Sequence, residues 1–368
     1  VGAMANTAVG GTFTTPDLAP QIEKLPSSSS LPVAAQALQP ARLSGLSVWH
    51  RTESSPPEAR SDFALRAVLK AQPARVVVHV GAGVTDAGLL DLAQQASLRH
   101  VELRWSAGES EDAACVSAEA IAALASSPLE SLHLECCVDA DLTDAIVAIS
   151  ERSTTLRHLT VCECCVDAEE AMAALGRCAP LRSLDWHSFS TDVSVWELVQ
   201  GGAGGTGISW LESLRLSAYE ETALTDDAAL AIAASCPRLT TLDLADEGGG
   251  GGALTDDAVA ALAGRVDGVG GCPQLRQLDL RSSSANRHIT DRTLHLLVDG
   301  ALPALESIGL GGCTGLSAAG LRVLAARRPA LRVEGAEAAD EEAEAADEGA
   351  WGAGAWGAGA WASEPSAG

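Results

Sequence analysis

Aromatic side chains other than tryptophan are nearly missing from this chain: Phe13, Phe63, Phe189 and Tyr219 are the whole set in 368 residues. A core built from it must be packed by Leu, Val and Ala. Basic charge is also scarce, with 24 Lys and Arg (the lysines being Lys24 and Lys70) against 49 Asp and Glu, a formal net charge of −25. Such a balance repels a phosphate backbone and removes the electrostatic attraction that supplies most nucleic-acid affinity, so nucleic-acid binding is not expected. No apolar run approaches the roughly 18 residues of a membrane span, and no basic segment leads into a hydrophobic one at the N-terminus. The expectation is a soluble cytoplasmic or nuclear protein without membrane association. The glycine-rich stretches Gly201 to Gly207 and Gly248 to Gly252 lack the Lys-Ser/Thr that follows a phosphate-binding loop. They read as insertions. No nucleophile, base and orienting acid can be grouped, so no catalytic residue, cofactor or enzymatic activity is assigned.

What the chain does have is a period. An apolar-x-x-apolar-x-apolar phrase begins at Leu43, Pro73, Leu98, Leu129, Leu156, Leu181, Leu211, Leu239, Leu275 and Leu305, at intervals of 25 to 36 residues. Repetition at this spacing is the signature of a solenoid, in which each repeat packs mainly on its neighbours. Within a repeat the phrase alternates apolar and polar positions, as a strand does, and the following stretch switches to helical spacing. Thr-Asp pairs mark the switch at Thr85-Asp86, Thr143-Asp144, Thr225-Asp226, Thr255-Asp256 and Thr290-Asp291. Threonine at an N-cap accepts an orphaned backbone N–H, and aspartate in the first turn complements the helix dipole. Pro237 and Pro273 are expected to stop the preceding helices. Fixed alternation of strand and helix predicts an α/β right-handed solenoid, a horseshoe with a concave parallel sheet and convex helices. Insertions between strand and helix at Ser106 to Ala114, Gly248 to Gly252 and Ser282 to Arg287 should project along one rim.

The domain reading is a polar lead at residues 1–30, a solenoid of about ten repeats at 31–333 whose first stretch, Leu31 to Leu38, suits a capping helix, and a tail at 334–368. The tail carries nine acidic residues and no basic one, then Trp351, Trp356 and Trp361 among Gly and Ala. It is expected to be a solvating, disordered segment, with a short docking motif as the other reading. The ten cysteines follow the repeat. Cys137, Cys164 and Cys313 sit three residues after the strand phrase, and Cys178, Cys236 and Cys272 three residues before the next one. A recurring register reads as a packing ladder of free thiols in a reducing compartment.

The segment Leu305-Glu-Ser-Ile-Gly-Leu-Gly-Gly-Cys313-Thr-Gly-Leu316, with the junctions Cys236-Pro-Arg-Leu239 and Cys272-Pro-Gln-Leu275, resembles the cysteine-containing type of leucine-rich repeat, an F-box/LRR-like pattern within the ribonuclease-inhibitor-like superfamily. The resemblance implies a protein-binding scaffold, since such repeats often form the substrate-recognition or adaptor subunit of SCF-type ubiquitin ligases. There an F-box engages the ligase core subunits and the concave face holds the target. No F-box is evident here, because Leu43 to Val48 is better read as the first repeat phrase. The chain opens on Val1, so either Met4 is the start or an upstream piece precedes it. A second resemblance is to Ran-type GTPase activators, which also join a leucine-rich arc to an acidic tail. Their repeats carry Asn where this chain has Cys137, Cys164 and Cys313, and such an activity would need an arginine such as Arg75 or Arg104 poised at a rim.

In an apolar-x-apolar strand the residues before, between and after the apolar pair face away from the core. Those positions assign a protein partner to a face carrying Trp49, Arg75, His79, His100, Glu102, Arg104, His133, Glu135, His158, Asp185, His187, Arg215, Asp243, Asp279 and Arg281. Five of the eight histidines fall here. His100, His133 and His158 are expected as a diagonal band flanked by Glu102, Glu135 and Cys162. Duplication of Leu-Arg-His at residues 98–100 and 156–158 accounts for them as a generic polar surface; a histidine-dependent partner site and a metal site are the sharper readings, and no metal is assigned. Cys162-Glu-Cys164-Cys165 beside Cys136-Cys137 has the look of a metal cluster, but the shared register of Cys137 and Cys164 argues for inward packing.

Overall fold

The computed structural model describes residues 58–336 except 82, 106–115, 138–139, 202–207, 218–223 and 247–253. All of these lie within the unit Pro56–Gly368. The lead, the Leu31 to Leu38 stretch, the first phrase with Trp49, two of the three insertions and the acidic tail beyond residue 336 lie outside the described residues.

The first half of the array runs β1 (Glu58–Ala59), α1 (Asp62–Leu69), β2 (Arg75–Val80), α2 (Asp86–Ala93), β3 (His100–Trp105), α3 (Ala118–Ala122), β4 (Ser131–Glu135), α4 (Thr143–Arg152), β5 (His158–Cys162), α5 (Ala168–Leu175) and β6 (Ser183–His187). It continues with α6 (Asp192–Gln200), β7 (Ser213–Ser217), α7 (Asp226–Ser235), β8 (Thr241–Asp243), α8 (Asp256–Leu262), β9 (Gln277–Asp279), β10 (Asn286–Thr290) and α9 (Asp291–Val298). The end is β11 (Ser307–Gly309), β12 (Cys313–Gly315), α10 (Ala318–Arg327) and β13 (Arg332–Glu334). Eleven of the strands form one open parallel sheet in the order β1-β2-β3-β4-β5-β6-β7-β8-β9-β11-β13. Successive helices pack on one another along it. This is the α/β solenoid that the period predicts.

Register explains why the phrase repeats. Val76, Val101, Leu132, Leu159, Leu184, Leu214, Leu242, Leu278 and Ile308 are successive partners across the sheet, and all are buried in one continuous core. Each such leucine taken out of water contributes about 1.5–3 kcal/mol. A row of this kind stabilises no repeat alone, because every side chain is covered by its neighbours. A second row, Val78, Leu103, Leu134, Val161, Trp186 and Leu216, runs beside it. The cysteines join them: Cys137, Cys164, Cys178, Cys236, Cys272 and Cys313 are buried free thiols. Burial pushes Cys178 up to about 11 and Cys272 and Cys313 up to about 12.

Three local readings are corrected. Thr143 does not cap α4; Leu142 holds the cap position and Thr143 opens the helix, its hydroxyl donating to Asp141 at 2.6 Å. Pro273 stops nothing, because α8 ends at Leu262 and the chain turns at Gly264 with φ +65°, a left-handed conformation that favours glycine; Pro237 does follow directly after α7 and its cap Cys236. The Ser282 to Arg287 insertion runs into a strand, since Asn286 to Thr290 pairs in parallel with β12 as a second, two-stranded sheet. Asn286 is buried and anchors it through its amide, which donates to the Leu254 carbonyl at 3.0 Å.

Thr225, Thr255 and Thr290 cap their helices as expected, Thr85 holds the N-cap of α2 without a side-chain cap bond, and the helix starts are also tied to the preceding helix. Asp192 accepts the Thr225 N–H and hydroxyl at 2.9 and 2.6 Å, Asp226 those of Thr255 at 2.8 and 2.6 Å, and Asp256 those of Thr290 at 2.8 and 2.5 Å. Asp62 takes Thr85 in the same way, and Asp291 takes Ser317. Each of these five carboxylates therefore receives the start of the next helix, and the repeats concerned are joined to their successors by charge-assisted bonds as well as by leucines.

Candidate functional site

The face of the sheet turned away from the core carries three rows of side chains, polar except for Val77 and Cys162. The first is Arg75, His100, Ser131, His158, Ser183 and Ser213. The middle row is Val77, Glu102, His133, Thr160, Asp185, Arg215, Asp243 and Asp279, and the third is His79, Arg104, Glu135, Cys162, His187 and Ser217. With parallel strands about 4.8 Å apart, row neighbours are within reach of one another. Arg281 lies two residues beyond Asp279 and returns to it, its Nη2 2.8 Å from Asp279 Oδ2. Trp49 lies outside the described residues; of the other fourteen face residues named from the sequence, thirteen occupy these registers and Arg281 follows the end of β9.

The histidine band is not diagonal. His100 and His158 share the first row with Ser131 between them, while His133 stands in the middle row opposite Glu102 and Thr160. Burial lowers the His100 and His158 pKa values, with the Arg75 and Arg157 charges acting in the same direction. Both imidazoles are thereby held neutral at physiological pH. His79 stands apart with its Nε2 3.3 Å from Glu58.

Two polar clusters organise the face. Arg104 lies between two carboxylates, paired with Glu102 and with its Nε 3.3 Å from Glu135 Oε2. Glu102 is 5% exposed, and a carboxylate so withdrawn from water needs such a cation. His133 is the fourth member, its Nε2 3.4 Å from Glu135 Oε2. The second cluster is a chain: Asp185 Oδ1 lies 2.6 Å from His187 Nε2, and His187 Nδ1 lies 2.5 Å from Ser217 Oγ. Arg215 closes it, 3.8 Å from Asp185 Oδ2. Burial alone would raise the Asp185 pKa, but the His187 bond and the His187 and Arg215 charges outweigh it and hold the carboxyl below the usual range.

Asp185, His187 and Ser217 stand in the order of an acid, an imidazole and a hydroxyl, which the sequence reading did not group. The signal was present, since Asp185 and His187 are two apart in one strand and Ser217 is the register partner of His187. Ser217 is 4% exposed, so the arrangement orients His187 rather than presenting a nucleophile to substrate. Past Arg215 the row becomes acidic, and burial followed by the Asp279 charge pushes Asp243 up to about 6. Near the cysteine-rich segment, Cys137 and Cys164 point inward and are buried, while Cys165 is exposed and Cys136 donates to Glu163 at 3.4 Å.

No protein-family model matches this chain, and no curated protein matches it. Among solved structures, a chain from the crystal structure of the Rad7 and Elc1 complex in yeast is similar at 16% identity and a TM-score of 0.31, covering 75% of this chain and 84% of that one.

Proposed function

We propose that the open face of the sheet binds another protein and that the chain is an adaptor or substrate-recognition subunit of an SCF-type ubiquitin ligase, acting in the cytoplasm or nucleus without enzymatic activity of its own. One observation carries the binding reading: alternate positions of consecutive strands spend charged and polar side chains in aligned rows, and these hold one another in place through pairs such as Arg104 with Glu135 and Arg215 with Asp185. A surface fixed before the partner arrives loses less side-chain entropy on binding. The ligase assignment rests on the resemblance of the repeats to the cysteine-containing type, and burial of Cys137, Cys164 and Cys313 at one register supports that type. Arg104, which a GTPase-activating reading would need free, is tied between two glutamates.

The test is affinity capture of the full tagged chain with identification by mass spectrometry. Ligase core subunits and a target are expected with the wild type; Arg215→Glu combined with Arg281→Glu should lose the target and keep the core subunits. A capture without core subunits removes the ligase assignment, and a target retained by the double variant removes the open face as its site.

A further inference from the structure

We propose that Glu102, His133 and Glu135 form a binding site for a divalent first-row transition metal ion, of which zinc is the natural example, with Arg104 as a built-in cation that the metal displaces. The three side chains each offer one donor atom, and these atoms lie within 4.8 Å of one another. A tetrahedral ion with bonds of about 2.0–2.1 Å needs its donors about 3.3 Å apart, so modest side-chain rotation closes the set. Register places the donors without strain: Glu102 and His133 are direct partners on β3 and β4, and Glu135 follows His133 by two residues on the same face.

The observation that points to a ligand is His133. Both of its ring nitrogens are closed off from solvent, and neither makes a hydrogen bond. A ring nitrogen withdrawn from water is normally hydrogen-bonded, and an unmet one beside two carboxylates is a donor that a borderline metal uses. Glu102 adds a second unusual feature, a buried carboxylate whose cation comes from a side chain that is itself half exposed. Arg104 can therefore swing out to water when a divalent ion takes its place, and the net charge change favours the exchange because two carboxylates face one guanidinium. Three protein donors leave a coordination position open to water or to a side chain of a bound partner. Cys162 is the register neighbour of Glu135, but its sulfur is not among the donor atoms that lie within 4.8 Å of one another.

Cobalt(II) titration of the full-length, reduced and metal-free chain, followed by absorption spectroscopy, separates the possibilities. One ion per chain is expected, with ligand-field bands and no thiolate-to-cobalt charge-transfer band, and zinc should displace it. His133→Ala and Glu102→Gln should each weaken binding at least tenfold in protein that retains the wild-type circular dichroism. Arg104→Ala alters a half-exposed side chain and should tighten binding, because the competing cation is gone. The proposal is overturned by no binding, by a thiolate charge-transfer band, by wild-type affinity in His133→Ala, or by unchanged or weaker binding in Arg104→Ala. None of these outcomes depends on capture of a ligase subunit.

Discussion

Asp256 offers the sharpest test of how the repeats are joined. Its carboxylate accepts the N–H and hydroxyl of Thr290 at 2.8 and 2.5 Å and those of Thr293 at 3.2 and 2.6 Å. Asp256→Ala strands four donors, and Thr293 is fully buried, so water cannot replace the lost acceptor there. A hydrogen bond to a charged acceptor contributes about 1.5–3 kcal/mol, and a buried donor left unmet costs about 1–3 kcal/mol. The four bonds share one carboxylate and do not add, which sets the expected loss at about 3–5 kcal/mol. Asp257 is the internal control: it sits in the same first turn and feels the same helix dipole, but it is exposed and its partner is Arg292 at 2.9 Å. Asp257→Ala should cost no more than about 1 kcal/mol. Urea unfolding followed by far-ultraviolet circular dichroism measures both. Because solenoid stability is a sum of repeat and interface contributions, Asp256→Ala should also broaden the transition as repeats beyond α8 uncouple. If the two alanine variants unfold at the same urea concentration, the carboxylate does not join the repeats and the reasoning fails.

Two further outcomes follow from burial. Asp243 is pushed up to about 6 when folded, above the ordinary value of about 3.9, so the folded state holds its proton more tightly and stability declines as pH rises from about 4 through 6. Asp243→Asn should match the wild type at pH 4 and exceed it above pH 6.5 by at most about 3 kcal/mol, and parallel stability profiles across that range would contradict the assignment. Among the described cysteines, Cys165 should be alkylated by iodoacetamide in the native, reduced protein. Cys137, Cys164, Cys178, Cys236, Cys272 and Cys313 should react on unfolding; peptide mapping that found Cys236 or Cys272 modified in native protein would show that the thiol ladder opens.

The sheet was legible because two periods coincide in it. Alternation within a strand separates Leu132 and Leu134 from Ser131, His133 and Glu135, and the repeat carries that separation to the next strand unchanged, so inward and outward positions follow from spacing alone. The row arrangement was legible too. His100 and His158 stand two residues after Leu98 and Leu156, whereas His133 stands four after Leu129, and equal offsets place the first two in one row and His133 in the next. A diagonal band overlooked that difference in offset.

What spacing could not show is contact between elements that share no alternation. Thr225 and Asp226 announce the start of a helix, but that Asp192 of the preceding helix receives Thr225 depends on how stacked helices are staggered. The pairing of Asn286 to Thr290 with Cys313 to Gly315 likewise comes from stacking, since Asn286 is buried through its amide and not by apolar character. The same limit applies at the site. Sequence placed Glu102 and Glu135 beside His133 in a histidine band, and only their side-chain geometry shows that Arg104 is drawn between the glutamates while the imidazole is left without a hydrogen bond. A polar face written by repeat duplication has no requirement for an unmet buried nitrogen, which works against stability. His158 Nδ1 is unmet as well, so it is the grouping of the His133 nitrogens with the Glu102 and Glu135 oxygens that separates a face that merely stays wet from one arranged to hold something.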